Sequence, residues 1–298
     1  MAKRRADRIV GPLRVGGGLL FVALFAVSAD SARAQIRYSS GQNAAPIFEG
    51  WQKGPDGTVS MIFGYLNRNF EEELEIPVGP DNRCEPVPVD CGQPTHFLVR
   101  RQRFVFKVVL PKDWPKDRKL LWVLTSKGRT DTARGGLLPE MEIDNGTIAE
   151  NAGAGGVLAE GNQPPQVVNG SGPQTVTLPD PATITVSFSD DGLPKPRPRP
   201  EGAAAAATAA VPPDASPEVL EALQNRQPGV RVRWVHYRGP GKVTFNPSKA
   251  PPVYGKVVDL TTQVTFSAPG TYVLRALASD SQLETMYDAT VTVQPARR

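Results

Sequence analysis

The clearest pattern along the chain is an alternation of apolar and polar side chains in its second half. In ATITVSFS, residues 182–189, Ile184, Val186 and Phe188 fall on one face and the threonines and serines fall on the other. Because a strand sends successive side chains to opposite faces, this period indicates a half-buried strand. The same pattern predicts six more strands, at 166–168, 175–178, 230–238, 262–267, 271–279 and 286–293. Seven such strands are typical of an immunoglobulin-like sandwich.

The first half contains short apolar runs separated by turn residues. These runs predict strands at 58–69, 74–78, 96–110, 119–130 and 139–144. The segments between them carry turn-forming residues, as in Gly54-Pro55-Asp56-Gly57. This spacing favours an antiparallel sandwich over a barrel. The fold class predicted from the sequence is therefore all-β, with two antiparallel β-sandwich domains.

The N-terminus differs in kind from the rest of the chain. A basic head is followed by LLFVALFAVSA at 19–29 and by Ala32-Arg33-Ala34, an A-x-A cleavage site. Eleven apolar residues are too few to cross a bilayer comfortably, so a retained anchor is the weaker alternative. We interpret residues 1–34 as a secretory signal peptide. The protein is then expected in the periplasm or outside the cell, with no membrane span after cleavage.

Composition suggests how the mature chain is divided. A first sandwich is predicted at 46–145 and an immunoglobulin-like sandwich at 164–296, joined by a flexible linker at 146–163 that is rich in small residues. Pro-Arg repeats and an alanine run at 193–229 predict a disordered insert within the second domain. Such an insert is either a tolerated surface extension or a proline-rich docking peptide.

Charge narrows the range of partners. Residues 1–34 carry six of the 34 basic and two of the 30 acidic residues, which leaves 28 of each in the mature chain. A nucleic-acid-binding protein needs a basic surplus to displace counterions, so no nucleic-acid partner is expected. The local run Arg100-Arg101-Gln102-Arg103 is more typical of the solvent face of a strand.

The two cysteines of the chain lie close together in sequence. Cys84 and Cys91 occupy a proline-rich segment, and an exported protein meets oxidising conditions. We therefore predict a disulfide between them, worth about 2.5 kcal/mol in the chain-entropy view. A metal site including His96 is the alternative, although it lacks further ligands at close spacing.

Three aspartates are candidates for binding calcium. Asp190 and Asp191 follow one predicted strand of the second domain and Asp280 follows another, and these strand ends meet at one pole of such a sandwich. Carboxylates and loop carbonyls are the ligands that Ca²⁺ prefers. The competing interpretation is that aspartate begins turns by bonding its own backbone. No other cofactor is expected.

Signals for catalysis are weak. The chain has no G-x-S-x-G, H-E-x-x-H or phosphate-binding loop, and its only histidines are His96 and His236. The acidic run at 71–75 is typical of a solvated surface rather than of a glycosidase pair. Trp51 and Trp114 lie beside turns and are candidate sugar platforms, whereas Trp122 belongs to a predicted core strand.

The segment SAPGTYVLRALASD at 267–280 completes the immunoglobulin-like pattern. Tyr272 is placed to close a tyrosine corner, and Trp234 in VRVRWVHYRGPG is the expected central core aromatic. With SFSDDGLP, these stretches resemble the strands of PKD-like and related immunoglobulin-like domains of bacterial exported proteins. EGWQKGPDGTVSMIFGYLNRNF, in the first half, is similar to segments of uncharacterised exported bacterial proteins.

The resemblance implies a fold and a compartment but brings no catalytic residues. We therefore expect a non-catalytic binding or structural protein of the cell envelope, with an unknown protein or glycan as its partner. Its working surface is expected at the loops of a sandwich pole or in the crevice between the domains, because a rigid sandwich presents its loops for binding. A carbohydrate-binding accessory protein and a hydrolase with an unrecognised site in the first domain are the alternatives.

Overall fold

A computed structural model describes residues 38–54, 56–151, 157–196 and 229–297. The predicted signal peptide at 1–34 and residues 197–228 of the predicted insert lie outside the described residues. Within these ranges, no helix combines the length and the apolar character needed to cross a bilayer.

The described chain is almost entirely β-strand. The first half contains β1 Ala44–Lys53, β2 Val59–Asn67, β3 Leu74–Glu75, β4 Asn82–Glu85, β5 His96–Phe97, β6 Arg100–Val109, β7 Leu120–Ser126 and β8 Arg129–Gly135, followed by a 3-10 helix at Pro139–Met141 and helix α1 at Asn145–Asn151. The second half contains β9 Gln166–Gly170, β10 Gln174–Thr177, β11 Ala182–Ser189, β12 Arg231–Arg238, β13 Val243–Asn246, β14 Val258–Phe266, β15 Gly270–Ser279 and β16 Glu284–Gln294. The all-β prediction is confirmed.

The second half forms an immunoglobulin-like sandwich. One sheet has the order β9-β11-β14-β13 and the other β12-β15-β16-β10, in which only β10 runs parallel to its neighbour β16. This is the two-sheet layout of an immunoglobulin domain with its first strand divided between the sheets. Ile184, Val186 and Phe188 of β11 are fully buried between the sheets, as their alternation predicts. We call this cluster of buried side chains the second core.

One strand of the second core was not predicted. β13, with the sequence VTFN, pairs with the end of β14 and makes an edge of its sheet. Its four residues lie between glycine and proline turns, so the alternation is too short to stand out in sequence. The sandwich therefore has eight strands rather than seven.

The first half forms its own core from two three-stranded sheets, β1-β2-β6 and β4-β7-β8, with the small pair β3-β5 beside them. The rings of Phe63 and Phe106 from one sheet meet the edge of Trp122 from the other, with centroids 6.2 and 4.9 Å away. Trp122 is fully buried, and its indole Nε1 donates a hydrogen bond to Asn82 Oδ1 at 3.0 Å. Because the buried polar atom has a partner, the ring stabilises this core without a desolvation penalty. We call this cluster the first core.

The first core differs from the sequence prediction in several places. β4 and most of β8 were not predicted, and the predicted strand at 96–110 divides into β5 and β6. β1 was not predicted because Pro46 and a bulge at Gly50 interrupt its alternation, both of which an edge strand tolerates. Residues 139–144 were predicted as a strand, but Pro139 begins a 3-10 helix instead. After that helix, only an isolated bridge between Glu142 and Trp51 remains.

The described part of the predicted linker contacts the second core. Asn162 is buried, and its Nδ2 donates to Gln282 Oε1 at 3.0 Å. The same oxygen accepts a hydrogen bond from the backbone N–H of Ala159. Helix α1 occupies the start of the linker range. The domain boundaries at 46–145 and 164–296 stay predictions.

Candidate functional site

The disulfide loop of the first core is bonded to β12 of the second core. The predicted disulfide joins Cys84 to Cys91. Just beyond it, the Gly92 carbonyl accepts a hydrogen bond from the Tyr237 hydroxyl. Arg238 donates to the Gln93 carbonyl at 2.7 Å and makes a bidentate ion pair with Asp90 at 2.8 and 3.0 Å. The loop therefore joins the two cores.

Arg275 of β15 makes a second connection. Its guanidinium pairs with Asp288 at 2.7 and 2.8 Å and lies over the Tyr237 ring, 3.4 Å from the centroid. Its other terminal nitrogen, Nη1, donates to the Val105 carbonyl on β6 at 2.6 Å. Only 9% of the residue is exposed, so the charge is held by these partners rather than by water.

Between these connections lies a cleft of about 1480 Å³, which we call the inter-core cleft. One wall is β6 with its flanking residues, and the other is the face of β12, β15 and β16 that points away from the second core. A pocket between two rigid sheets, with a few convergent polar groups, is the usual setting of a ligand site.

The inter-core cleft is strongly basic. Besides Arg275, the basic side chains lining it in the described chain are Arg101, Arg103, Lys107, Arg231, Arg233 and Lys249. Glu284 is the one acidic residue among the described lining. Its side chain is accessible to water, but the surrounding walls desolvate it and raise its pKa. Such a surface attracts anions.

At one end of the cleft, four side chains from both cores form what we call the histidine cluster: Glu73, Glu75, His96 and His236. β3 pairs with β5 so that Glu75 lies directly opposite His96. The ring of His236, on β12, stacks on that of His96 with centroids 4.3 Å apart and planes 25° apart. Ligand atoms of Glu75, His96 and His236 lie within 4.8 Å of one another.

Only one of the four ring nitrogens in this cluster has a side-chain partner. His96 Nε2 lies 2.8 Å from Glu73 Oε2, and this hydrogen bond lowers the pKa of Glu73. His96 Nδ1 and both nitrogens of His236 are buried and unbonded. Burial lowers the pKa of His236 to about 4, with the neighbouring His96 as a smaller cause, so this ring is neutral at pH 7.

The candidate calcium residues lie where two strands of the second core end. Asp280 is 2% exposed, and its Oδ1 accepts hydrogen bonds from the backbone N–H groups of Gln282 and Leu283 at 2.6 and 2.7 Å. Asp190 and Asp191 accept similar turn bonds from Gly192 and Leu193.

Burial raises the pKa of Asp190 to about 6, helped by repulsion from the Asp280 and Asp191 carboxylates. Burial also raises the pKa of Asp280. Asp190 Oδ1 and Asp280 Oδ2 are buried without a hydrogen-bond partner. The calcium site stays a prediction.

The two structural aromatics lie in the second core. Tyr272 is fully buried, and its hydroxyl donates to the Ala268 carbonyl at 2.7 Å, which is the geometry of a tyrosine corner. Trp234 is 3% exposed and lies 6.5 Å from the Tyr287 ring. Its indole nitrogen is buried without a partner.

The candidate sugar platforms lie outside the cleft. Trp51 is half-buried against the first core and donates to the Leu138 carbonyl. Trp114 also packs on that core, and its indole N–H donates a hydrogen bond to the backbone carbonyl of Arg118. No tryptophan belongs to the described cleft lining. Glu71, at the start of the acidic run, is exposed, while Glu73 and Glu75 belong to the histidine cluster.

Sequence reasoning named the crevice between the domains as a candidate working surface, but it predicted neither the basic lining of the cleft nor the histidine cluster. Arg101 and Arg103 were assigned to a solvated strand face, and they do lie on β6, but this face forms a wall of the cleft. His96 and His236 are 140 positions apart, so their contact has no local signal. The presence of just two histidines, each in a strand-like segment near acidic or aromatic residues, was the one available hint.

No protein-family model matches the chain, and no curated protein matches its sequence. Similar solved structures include the Ig1-2 module of the Drosophila receptor protein tyrosine phosphatase DLAR, with 9% identity over 85% of this chain and 98% of that one and a TM-score of 0.28. Domains 4 and 5 of the S-layer protein SbsC have 10% identity over 59% and 65% and a TM-score of 0.24. The Ig domain complex of titin M10 and obscurin-like 1 has 16% identity over 46% and 99% and a TM-score of 0.22. These scores are low, so the immunoglobulin-like assignment depends on the strand order itself.

Proposed function

We propose that the protein is an exported, non-catalytic binding module of the cell envelope that holds an anionic ligand in its inter-core cleft. The observation that carries the proposal is the concentration of basic side chains there. The mature chain has equal numbers of acidic and basic residues, yet the cleft has six basic side chains besides Arg275 and a single glutamate. One of the six, Arg101, is neutralised by an ion pair with Glu49 at 2.7 Å, and the other five still outnumber Glu284. This local excess favours an acidic ligand.

The chemistry of the lining favours recognition by charge. Arginine presents a planar fork that matches carboxylate, sulfate or phosphate oxygens. The described lining contains no tryptophan on which a neutral sugar ring stacks. An acidic polysaccharide therefore fits the cleft better than a neutral one. An acidic protein partner is the second candidate, because the same charges would attract it.

Charge reversal tests this proposal. Lys107 and Arg233 are exposed on opposite walls, so Lys107→Glu with Arg233→Glu leaves both cores intact. Arg134→Glu, at an exposed position of β8 outside the lining, is the matched control. Residues 35–298 of each variant are titrated against uronate-bearing, sulfated and neutral polysaccharides at two salt concentrations.

We expect salt-sensitive binding of an acidic polysaccharide, weakened at least tenfold by the double reversal and unchanged by the control. Equal binding by the double variant contradicts the cleft as the site. If no polysaccharide binds while an acidic envelope protein does and the double reversal abolishes that binding, the partner is a protein. If neither kind of ligand binds, the proposed function is wrong.

Export needs a separate measurement. Mass spectrometry of the protein isolated from a periplasmic or culture fraction is expected to show an N-terminus at Gln35, because cleavage follows Ala34. A full-length chain recovered from the cytosol contradicts export but leaves the binding site untouched.

A further inference from the structure

We propose that the histidine cluster is a binding site for a divalent transition metal of the zinc class, with His96, His236 and Glu75 as ligands. This site joins the first core to the second core. It is distinct from the anionic ligand site in the cleft and does not depend on it.

The donor set suits zinc. Two imidazoles and one carboxylate form a set of borderline nitrogen and hard oxygen donors, which Zn²⁺ and Co²⁺ accept readily. The two cysteines are joined in the disulfide and do not compete for the ion. Three protein ligands leave a fourth position for water, which is the coordination of an open zinc site.

The donor atoms lie close together, but one ring must turn before both histidines can hold the same ion. The three donor atoms lie within 4.8 Å of one another, and the His96 and His236 rings are stacked with planes 25° apart, so one ring rotates about its Cβ–Cγ bond to direct its lone pair at the metal. His96 Nδ1 lies 3.9 Å from Glu75 Oε1. Two ligands of a tetrahedral zinc ion are about 3.3 Å apart, given bonds of about 2.0–2.1 Å. The pair therefore needs to approach by roughly 0.6 Å. The Glu75 side chain is 44% exposed, and its Oε2 accepts a 3.3 Å hydrogen bond from the backbone N–H of Gly241, so the carboxylate makes that movement by lengthening this one weak bond.

Glu73 orients the ligand ring. Its carboxylate takes the Nε2–H of His96 at 2.8 Å, which leaves Nδ1 as the nitrogen with a lone pair directed towards Glu75. A carboxylate that holds the far nitrogen of a metal-binding histidine is the usual arrangement around zinc. Glu73 is thus a positioning residue rather than a ligand.

The unpaired nitrogens are the independent observation that points to a ligand. His96 is 9% exposed and His236 is 6% exposed, yet Nδ1 of the first and both nitrogens of the second have no hydrogen bond of normal geometry; the backbone of Arg238 and Gly239 lies near the His236 ring and interacts with it only weakly. Buried polar atoms are almost always paired, and each exception needs an explanation. A metal ion would satisfy one nitrogen of each ring. Simple packing of two rings would leave all three unpaired.

The three ligands come from separate parts of the chain. Glu75 and His96 are on β3 and β5 beside the first core, and His236 is on β12 of the second. The backbone N–H of Thr95 already donates to the Tyr237 carbonyl at 3.1 Å, so the two segments are held together without the ion. A bound metal would add to that connection and stabilise the paired cores.

The test uses tag-free protein, residues 35–298, stripped with a chelator and titrated with Co²⁺ and then Zn²⁺. We expect one equivalent of Co²⁺ with visible d–d absorption typical of four-coordination, displacement by Zn²⁺, and a higher melting temperature with either ion. Glu75→Gln and His236→Phe are expected to weaken binding at least tenfold. Glu73→Gln is expected to weaken it by about 10–100-fold through the loss of orientation.

Glu71→Gln is the matched control, because Glu71 is exposed on the same acidic run and is not among the ligands. It is expected to bind Co²⁺ like the unmodified chain. Each variant is first melted without metal. Glu75→Gln keeps the test valid if His236→Phe does not fold, because the Glu75 side chain is 44% exposed and lies outside both cores. Absence of the Co²⁺ absorption, or equal affinity in Glu75→Gln, overturns the proposal.

Discussion

Replacement of Arg275 by alanine provides a direct test of how the two cores are held together. This side chain is buried at the wall of the inter-core cleft, and it contacts Asp288, Tyr237 and the Val105 carbonyl simultaneously. The first two partners belong to the second core and the third belongs to β6 of the first. Truncation therefore removes one connection between the cores together with a local ion pair.

The expected loss is worked from the three contacts. The pair with Asp288 contributes about 1 kcal/mol, because 41% of that carboxylate side chain is in solvent and water screens the pair. A hydrogen bond from a charged donor to the Val105 carbonyl adds about 1.5 kcal/mol, and the cation–π contact with Tyr237 adds about 1 kcal/mol. Because such contacts are not additive, we expect Arg275→Ala to lower the free energy of unfolding by about 3 kcal/mol.

Arg275→Lys separates charge from geometry. Lysine keeps the positive charge but cannot present the planar fork that reaches Asp288 twice and Val105 once. We expect it to lose about half as much stability as alanine. Asp288→Asn is expected to lower the free energy of unfolding by about 1 kcal/mol. This variant removes the ion pair but keeps the hydrogen bond from Arg275 to β6, so it measures the ion pair alone.

The assay is urea unfolding of residues 35–298, followed by tryptophan fluorescence and by circular dichroism. Trp122 lies in the first core and Trp234 in the second, so separate transitions would show that the cores unfold independently. Arg134→Ala, at an exposed position of β8, is the control and is expected to change stability by less than 0.5 kcal/mol. A loss below about 1 kcal/mol for Arg275→Ala would refute the reasoning.

Three further predictions concern the second core. Tyr272→Phe removes the hydroxyl that donates to the Ala268 carbonyl, and it is expected to lower the free energy of unfolding by about 1 kcal/mol in the same urea assay. An unchanged free energy of unfolding would show that the tyrosine corner does not stabilise the fold. The folded-state pKa of Asp190 is raised from 3.8 to about 6, so the folded protein favours the protonated carboxyl. The contribution of this group to the free energy of unfolding is therefore complete below about pH 4 and is lost as the pH rises through 6. With a chelator present, Asp190→Asn is therefore expected to raise the melting temperature at pH 7, where it removes a buried charge, and not at pH 4. An equal effect at the two pH values would contradict the raised pKa of Asp190. Millimolar Ca²⁺ is expected to raise the melting temperature of the unmodified chain but not that of Asp190→Asn. An unchanged melting temperature of the unmodified chain would contradict the predicted calcium site.

The sandwich architecture was largely predictable because it depends on local alternation. Ile184, Val186 and Phe188 alternate with small polar residues, and a period of two has few structural solutions other than a half-buried strand. Where the alternation failed, the structure was missed. β1 carries a proline and a bulge, and β13 has four residues, so their pairing with β2 and β14 is what defines them as strands.

The candidate sites were much less predictable. The disulfide of Cys84 with Cys91 follows from proximity in sequence and from the expected compartment. The contact of that loop with Tyr237 and Arg238 could not be predicted from the sequence, because those residues are about 145 positions away. The basic residues that β6 contributes to the cleft come from the polar run at 100–103 and from Lys107, and on sequence alone such residues describe the solvent-exposed face of an ordinary strand.

The sequence by itself determined most of the strands, the all-β fold class and the predicted export signal, because these depend on the order of neighbouring residues. The tertiary structure alone decided that His96 and His236 stack, that Glu75 lies against them, and that arginines from β6 and β12 line one cleft. The physical reason is that strand pairing and the docking of two cores are set by the sum of many distant contacts. No short window of the chain contains that sum.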